Sequence, residues 1–215
     1  MDQENLRRGL LTAAAQLPGV ELAEEDLNGI LAISKLERYS KNRCVFGIGE
    51  ECVYSGLVLK GLLRSYYLDM EGNEITRNFH KEYSWIADEG LIGYETHICA
   101  YETLEDSAVL LFETKQLKKM IAESDRLKNA YIIMLETGMR YKIYRENEFL
   151  TKNATERYLR FKADFPEVAD RAKQTCVSTY LGVAPESLSR IRRGLKEIII
   201  GSRNFEPADQ DSLVR

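Results

Sequence analysis

Apolar residues near the start of the chain recur at helical spacing. Leu6, Leu10, Leu11 and Ala14 form one run, Pro18-Gly19 interrupts it, and Glu24 to Leu36 resumes it, so the first 40 residues predict helix. From Arg43 to Phe112 the period changes. Short runs rich in β-branched and aromatic residues (Val53–Leu59, Leu62–Leu68, Ile75–Phe79, Val109–Phe112) alternate with turn signals at Gly47, Gly49, Gly61 and Glu71-Gly72-Asn73. Short, regularly spaced strands of this kind predict a compact antiparallel barrel or roll. From Thr114 to about Leu150 there is no proline and only Gly138 as a breaker, which predicts helix with a break near Ser124-Asp125. Leu127, Tyr131, Met134, Gly138 and Tyr141 step by four and three along one side of it. Such a stripe packs either on its own barrel or on a second copy, where the small Gly138 permits close approach. The pattern degrades at Arg145 and Glu148. A polar joint, Thr151 to Thr155, with Thr155 or Asn153 as cap, leads into an amphipathic helix from Glu156 to Phe165 that Pro166 ends.

The segment from Gln174 to Arg193 has the residues that a helix-turn-helix requires. Two short helices crossing steeply leave room only for a small side chain at their closest approach, and Ser178 stands there. Gly182 supplies the positive φ of the turn. Val177, Leu181, Val183, Leu188 and Ile191 supply the shared core, and Pro185 suits the first turn of the second helix. Ala184 takes the N-cap position, where a Ser or Thr would hold the helix start better by roughly 1 kcal/mol. The outward face is then Glu186, Ser187, Ser189, Arg190, Arg192 and Arg193. Arg190 suits guanine and Glu186 a cytosine amino group. Ser187, Arg192, Arg193, Lys173 and Thr175 suit the phosphate backbone. Beyond Lys196, Glu197 to Glu206 is expected to add one strand of a small wing or to pack on the motif, and Pro207 to Arg215 to be disordered.

Charge supports that division. Residues 1–150 carry 18 Lys/Arg against 25 Asp/Glu, whereas residues 151–215 carry 12 against 9. A basic rear part fits a nucleic-acid partner, and an acidic front part fits sensing or assembly. Nothing resembles a signal peptide or a membrane span of about 18 apolar residues. A cytoplasmic protein is therefore expected, with Cys44, Cys52, Cys99 and Cys176 reduced. Four scattered cysteines and two histidines, His80 and His97, show no metal-ligand spacing, so no metal or haem is expected. No P-loop, GxSxG or HExxH pattern points to an enzyme.

With these residues in view, the chain resembles the Crp/Fnr family of bacterial regulators over nearly its whole length, especially forms common in Bacteroidetes. The segment from Val177 to Arg192 is similar to the family's helix-turn-helix. Gly49-Glu50, Gly61 before Leu62-Leu63-Arg64, and Asp69 to Gly72 resemble the punctuation of its cyclic-nucleotide-binding roll. The resemblance implies an α+β architecture in three parts. These are a double-stranded β-helix (jelly-roll) sensor with N-terminal helices over residues 1–113, a dimerising helix over 114–150, and an all-α, winged-helix-like DNA-binding domain over 151–215. It moves the Leu127–Tyr141 stripe toward a dimer seam, and it implies Glu186 and Arg190 as base contacts.

The sensor departs from the family pattern. Relatives that bind cAMP carry Gly-Glu, whose carboxylate holds the ribose, followed by Arg-Ser/Thr-Ala, whose arginine holds the phosphate. Laid ungapped, these fall on Ala87-Asp88 and on Ile98-Cys99-Ala100, and no arginine lies between Asn78 and Asp125. A buried phosphate without a cation is costly. The candidate effector pocket, built on Asp88, Glu89, Ile98 and Cys99, is therefore expected not to take cAMP or cGMP in the usual way. Its ligand, if the protein has a small-molecule effector, is unknown. Glu89, Glu95, Glu102, Glu105 and Asp106 read as solvated surface that disfavours an anion, and Cys99 as a buried thiol or a redox switch. The expected function is transcription regulation by a homodimer on double-stranded DNA, with RNA polymerase as a further partner. The alternative is a protein-interaction module with a degenerate nucleotide-binding fold.

Overall fold

The computed structural model describes residues 2–203. Two helices come first, α1 (Gln3–Ala15), capped by the Asp2 carboxylate, and α2 (Glu24–Ala32). The helical run expected to reach Leu36 stops there. Ser34–Tyr39 is instead the strand β1, paired antiparallel with β8 (Ser107–Glu113) from Ser34↔Phe112 to Tyr39↔Ser107. Apart from its last residue β8 is buried throughout, so it needs a ladder partner on both edges, and pairing overrides the local helical period.

Between them lie β2 (Cys44–Phe46), β3 (Tyr54–Lys60), β4 (Leu63–Leu68), β5 (Glu74–His80), β6 (Trp85–Ile86) and β7 (Ala100–Thr103). The eight strands form two four-stranded sheets, ordered β1-β8-β3-β6 and β2-β7-β4-β5, packed face to face as the expected roll. The four strands anticipated from their runs are present as β3, β4, β5 and β8. The short β2, β6 and β7 are too brief for alternation to announce them.

The helix expected from Thr114 divides where Ser124 caps the second piece, giving α3 (Thr114–Glu123) and α4 (Asp125–Thr151). Next come α5 (Ala154–Asp164), α6 (Pro166–Arg171), α7 (Gln174–Leu181) and α8 (Pro185–Arg203). Asn153, one of the two candidate caps, closes a capping box with Glu156 on α5. Pro166 ends α5 and opens α6, where its missing N–H leaves no bond unmade. The wing strand expected beyond Lys196 is not formed in the described part. The backbone stays helical to Arg203 as a continuation of α8. The remainder of that stretch and Pro207 to Arg215 lie outside the described residues.

Three apolar clusters hold these parts together. One fills the roll around Val58, Leu63, Tyr101 and Val109. A second joins α1 and α2 to the roll and to α3 and α4 through Leu10, Leu27, Leu57, Phe112, Leu117 and Leu127. The third crosses from the roll to the C-terminal helices, with Leu62, Phe79 and Leu104 packed against Phe161, Val177, Tyr180 and Leu181. Full burial of each such side chain contributes about 1.5–3 kcal/mol, so this third cluster fixes the C-terminal helices against the roll. Among the described residues no helix is long and apolar enough to cross a membrane.

Candidate functional site

The helix pair α7–α8 has the geometry its residues require. Ser178 is fully buried, and its hydroxyl donates back to the Thr175 carbonyl at 2.8 Å, so the small side chain leaves no polar group unsatisfied. Gly182 is left-handed at φ +65°, and a Cβ there would meet the Phe149 ring at 2.8 Å. The turn therefore needs glycine for its backbone and for the space α4 occupies. Val177, Leu181 and Leu188 are buried, and Val183 and Ile191 pack against them. The uncapped start at Ala184 is held by backbone alone, its carbonyl accepting from the N–H groups of Ser187 and Leu188.

Glu186, Ser189, Arg190 and Arg193 are exposed along α8, with Ser187 and Arg192 half-buried. The Arg190 Nη2 donates to the Ser187 hydroxyl at 3.1 Å, and Gln174 ties α7 to Ser189 at 2.7 Å. Thr175 is exposed at the first turn of α7. Lys173 is drawn away from that face, donating to the Asn42 side chain of the roll at 3.1 Å.

Further bonds dock α6 and α7 on the roll and on α4. The Thr179 hydroxyl donates to Thr76 at 3.0 Å, Arg171 bridges Glu82 and Glu105, and the Tyr180 hydroxyl meets that of Tyr141 at 2.8 Å. Arg145 stacks on Tyr180, 3.7 Å from its ring centre, and donates to its carbonyl at 2.8 Å. These partners are invisible in sequence, since they join positions up to 103 residues apart.

In the roll the four expected pocket residues part company. Glu89 and Cys99 are buried together, with the thiol donating to Oε1 at 3.0 Å and the Tyr101 hydroxyl to the same oxygen at 3.0 Å. Asp88 lines a cavity of about 550 Å³ between β5, β6 and α4. Ile98, expected at the phosphate-arginine position, points outward and is 40% exposed. Ala87, expected at the glycine of the family's Gly-Glu pair, is left-handed at φ +55°, the conformation glycine favours.

An arginine does reach the buried carboxylate, but from another strand. The Arg77 Nη1 of β5 lies 3.6 Å from Glu89, 3.4 Å from the Tyr101 hydroxyl and 3.5 Å from the Cys99 sulfur. It lies one residue before the stretch from Asn78 to Asp125 that lacks arginine. The β4–β5 register shifts there, pairing Ser65 with Asn78 and Tyr66 with Thr76, so Arg77 sits in a bulge that strand alternation does not announce. Burial pushes the Glu89 carboxyl up, yet hydrogen bonds from His97 and Cys99 and the Arg77 charge prevail and bring it down to about 2. Burial, then the Glu89 carboxylate, pushes the Cys99 thiol up to about 12, so it stays protonated and unreactive at neutral pH. The His97 Nδ1 approaches Glu89 at 3.4 Å, and its Nε2 is the one buried side-chain polar atom without a partner among the described residues.

The acidic surface expected around this site is largely paired instead. Glu89 is buried, Glu102 binds Arg64, Glu105 binds Arg171, and Asp106 accepts from the Lys41 N–H. No group of three or more potential metal ligands occurs among the described residues.

A jelly-roll joined by a long helix to a helix-turn-helix defines a class of architecture, and known proteins share it. Residues 36–124 match the family model of the cyclic nucleotide-binding domain. FixK2 from Bradyrhizobium japonicum superposes with a TM-score of 0.68 at 20% identity, over 77% of this chain and 85% of that one. The c-di-GMP-responsive global regulator CLP from Xanthomonas campestris gives 0.67 at 14% identity, over 80% and 90%. A protein from Eubacterium rectale, assigned to the Crp/Fnr family of transcriptional regulators, gives 0.66 at 17% identity, over 81% and 84%. No curated protein sequence matches this chain. The resemblance to the Crp/Fnr family is thus one of a matched cyclic nucleotide-binding domain and of a shared fold over 77–81% of the chain.

Proposed function

We propose that the protein is a homodimeric, sequence-specific DNA-binding transcription regulator of the Crp/Fnr type, acting in the cytoplasm and engaging RNA polymerase. In this reading residues 1–113 sense, 114–150 connect and pair two copies, and 151–215 read DNA. The observation that carries it is the exposed face of α8, where Glu186 and Arg190 stand clear of a helix pair locked by buried Ser178 and Leu188. Arg190 and Glu186 read bases, while Ser187, Ser189, Arg192, Arg193 and Thr175 position the duplex. Two such helices on a two-fold axis would contact half-sites about one helical turn apart.

Pairing is assigned to the bare side of α4, where Ile132, Leu135, Met139 and Ile143 are 38–59% exposed. The sensor does not hold cAMP or cGMP in the usual way, because Ile98 replaces the phosphate arginine and points outward. Micromolar binding of either nucleotide at the roll, measured by calorimetry, would contradict that part.

Selecting bound sequences from random duplexes tests the main reading. Arg190→Ala is expected to cost roughly 1–3 kcal/mol of binding and to relax preference at one base pair. Unchanged affinity and preference would instead favour a protein-interaction module.

A further inference from the structure

We propose that the cavity between β5, β6 and α4 binds a small aromatic anion, a planar ring carrying a carboxylate or phosphate, held by Arg77 and Lys142. The cavity is about 550 Å³, within the range of small-molecule sites. Its roll side presents Arg77, Tyr83 and Trp85, and its α4 side presents Tyr141 and Lys142.

The preference for an anion follows from donors left without acceptors. Arg77 uses Nη1 on the buried cluster, while its Nε and Nη2 make no hydrogen bond among the described residues. With the side chain 22% exposed, those N–H groups are only partly hydrated. Lys142 has no ion pair or hydrogen bond among the described residues, and Asp88 is the one carboxylate in the lining. His80, also in the lining, is held near pKa 3 by burial and by Arg77, so it stays neutral and adds no charge. A carboxylate or phosphate would complete the Arg77 fork in partial shelter from water, where such contacts are strong.

The preference for a ring follows from the flat aromatic walls. Trp85 is steadied from behind by Phe112, with centroids 5.3 Å apart. The inference deepens the regulator reading by naming the class of effector. Tyr141, in the lining, also meets Tyr180 of α7, so an occupant would touch a side chain that docks the helix-turn-helix.

Trp85 is the only tryptophan in the chain, so intrinsic fluorescence reports on this cavity directly. The full-length protein, without DNA, is titrated with 4-hydroxybenzoate, phenyl phosphate, benzyl alcohol and inorganic phosphate. Saturable quenching by at least one aromatic anion is expected, with benzyl alcohol and inorganic phosphate each about tenfold weaker or more. Lys142→Gln, at an exposed position without partners among the described residues, should leave the melting temperature unchanged and weaken the anion about tenfold. No saturable change with either aromatic anion up to millimolar concentration overturns the proposal. So does equal binding of the neutral ring or of inorganic phosphate, or equal affinity in the Lys142 variant. Since no DNA is present, failure here leaves the DNA-binding reading intact, and loss of DNA binding would leave this one intact.

Discussion

Two sides of α4 have the same helical period and opposite fates. Leu127, Tyr131 and Met134 pack into the apolar cluster shared with α1, α2 and the roll, and Tyr141 bonds Asn78 and Tyr180. About a third of a turn away, Ile132, Leu135, Met139 and Ile143 face outward and are 38–59% exposed among the described residues. The stripe expected as a dimer seam is thus the one packed on its own roll, and the bare stripe is the exposed one. A helix clamped on one side and apolar on the other can transmit a change in the sensor to whatever covers the bare side.

The largest effect should come from placing charge on the bare stripe. Leu135→Glu with Met139→Glu would bury unpaired carboxylates in any self-association through this face, at several kcal/mol per interface. Sedimentation should show the dimer weakened by about a thousandfold or more, with the melting temperature of the monomer unchanged. An unaltered dimer would place the seam elsewhere.

The covered stripe should behave in the opposite way. Leu127 is 6% exposed, and Leu127→Ala should cost about 2–5 kcal/mol of folding stability by denaturant titration. The dissociation constant of the dimer should barely change.

Beneath the covered stripe, acid should loosen the sensor. His80 binds its proton near pH 3 when folded and near 6.5 when unfolded, so the unfolded chain holds one more proton between those values. Its neutral burial therefore contributes stability above pH 6.5 that is lost as pH falls, by about 1.4 kcal/mol per pH unit. Glu89, depressed to about 2, adds a loss of the same sign below about pH 4.5. His80→Gln should flatten the upper part of this dependence in urea titrations and leave the lower part. A slope unchanged by the substitution would remove His80 as its source.

The same contrast shows how much was legible beforehand. Helix-turn-helix constraints fall within some twenty consecutive positions, so Ser178, Gly182, Pro185 and Leu188 each announced their role. The stripe on α4 was legible as a period, but a period does not name the surface it meets. That choice is made by Leu10, Leu27 and Phe112, far away in sequence. Strand β1 was hidden because its partner comes some 70 residues later. The pocket was least legible. The family pattern directed attention to Ile98, while the cation that reaches Glu89 is Arg77, placed there by the closure of the roll.

The smallest effect separates the two stripes most sharply. Gly138 belongs to the covered stripe by period, yet no atom lies within 4 Å of where its Cβ would be, because it borders the cavity rather than a packed wall. Were it the close-approach point of a dimer, an added methyl would drive two helices apart. Facing open space, Gly138→Ala only removes backbone freedom from the unfolded chain. It should raise stability by about 0.5–1 kcal/mol and leave self-association unchanged, as read by thermal melting beside sedimentation. A weakened dimer would return Gly138 to the seam and leave the Ile132–Ile143 stripe to be covered by something else.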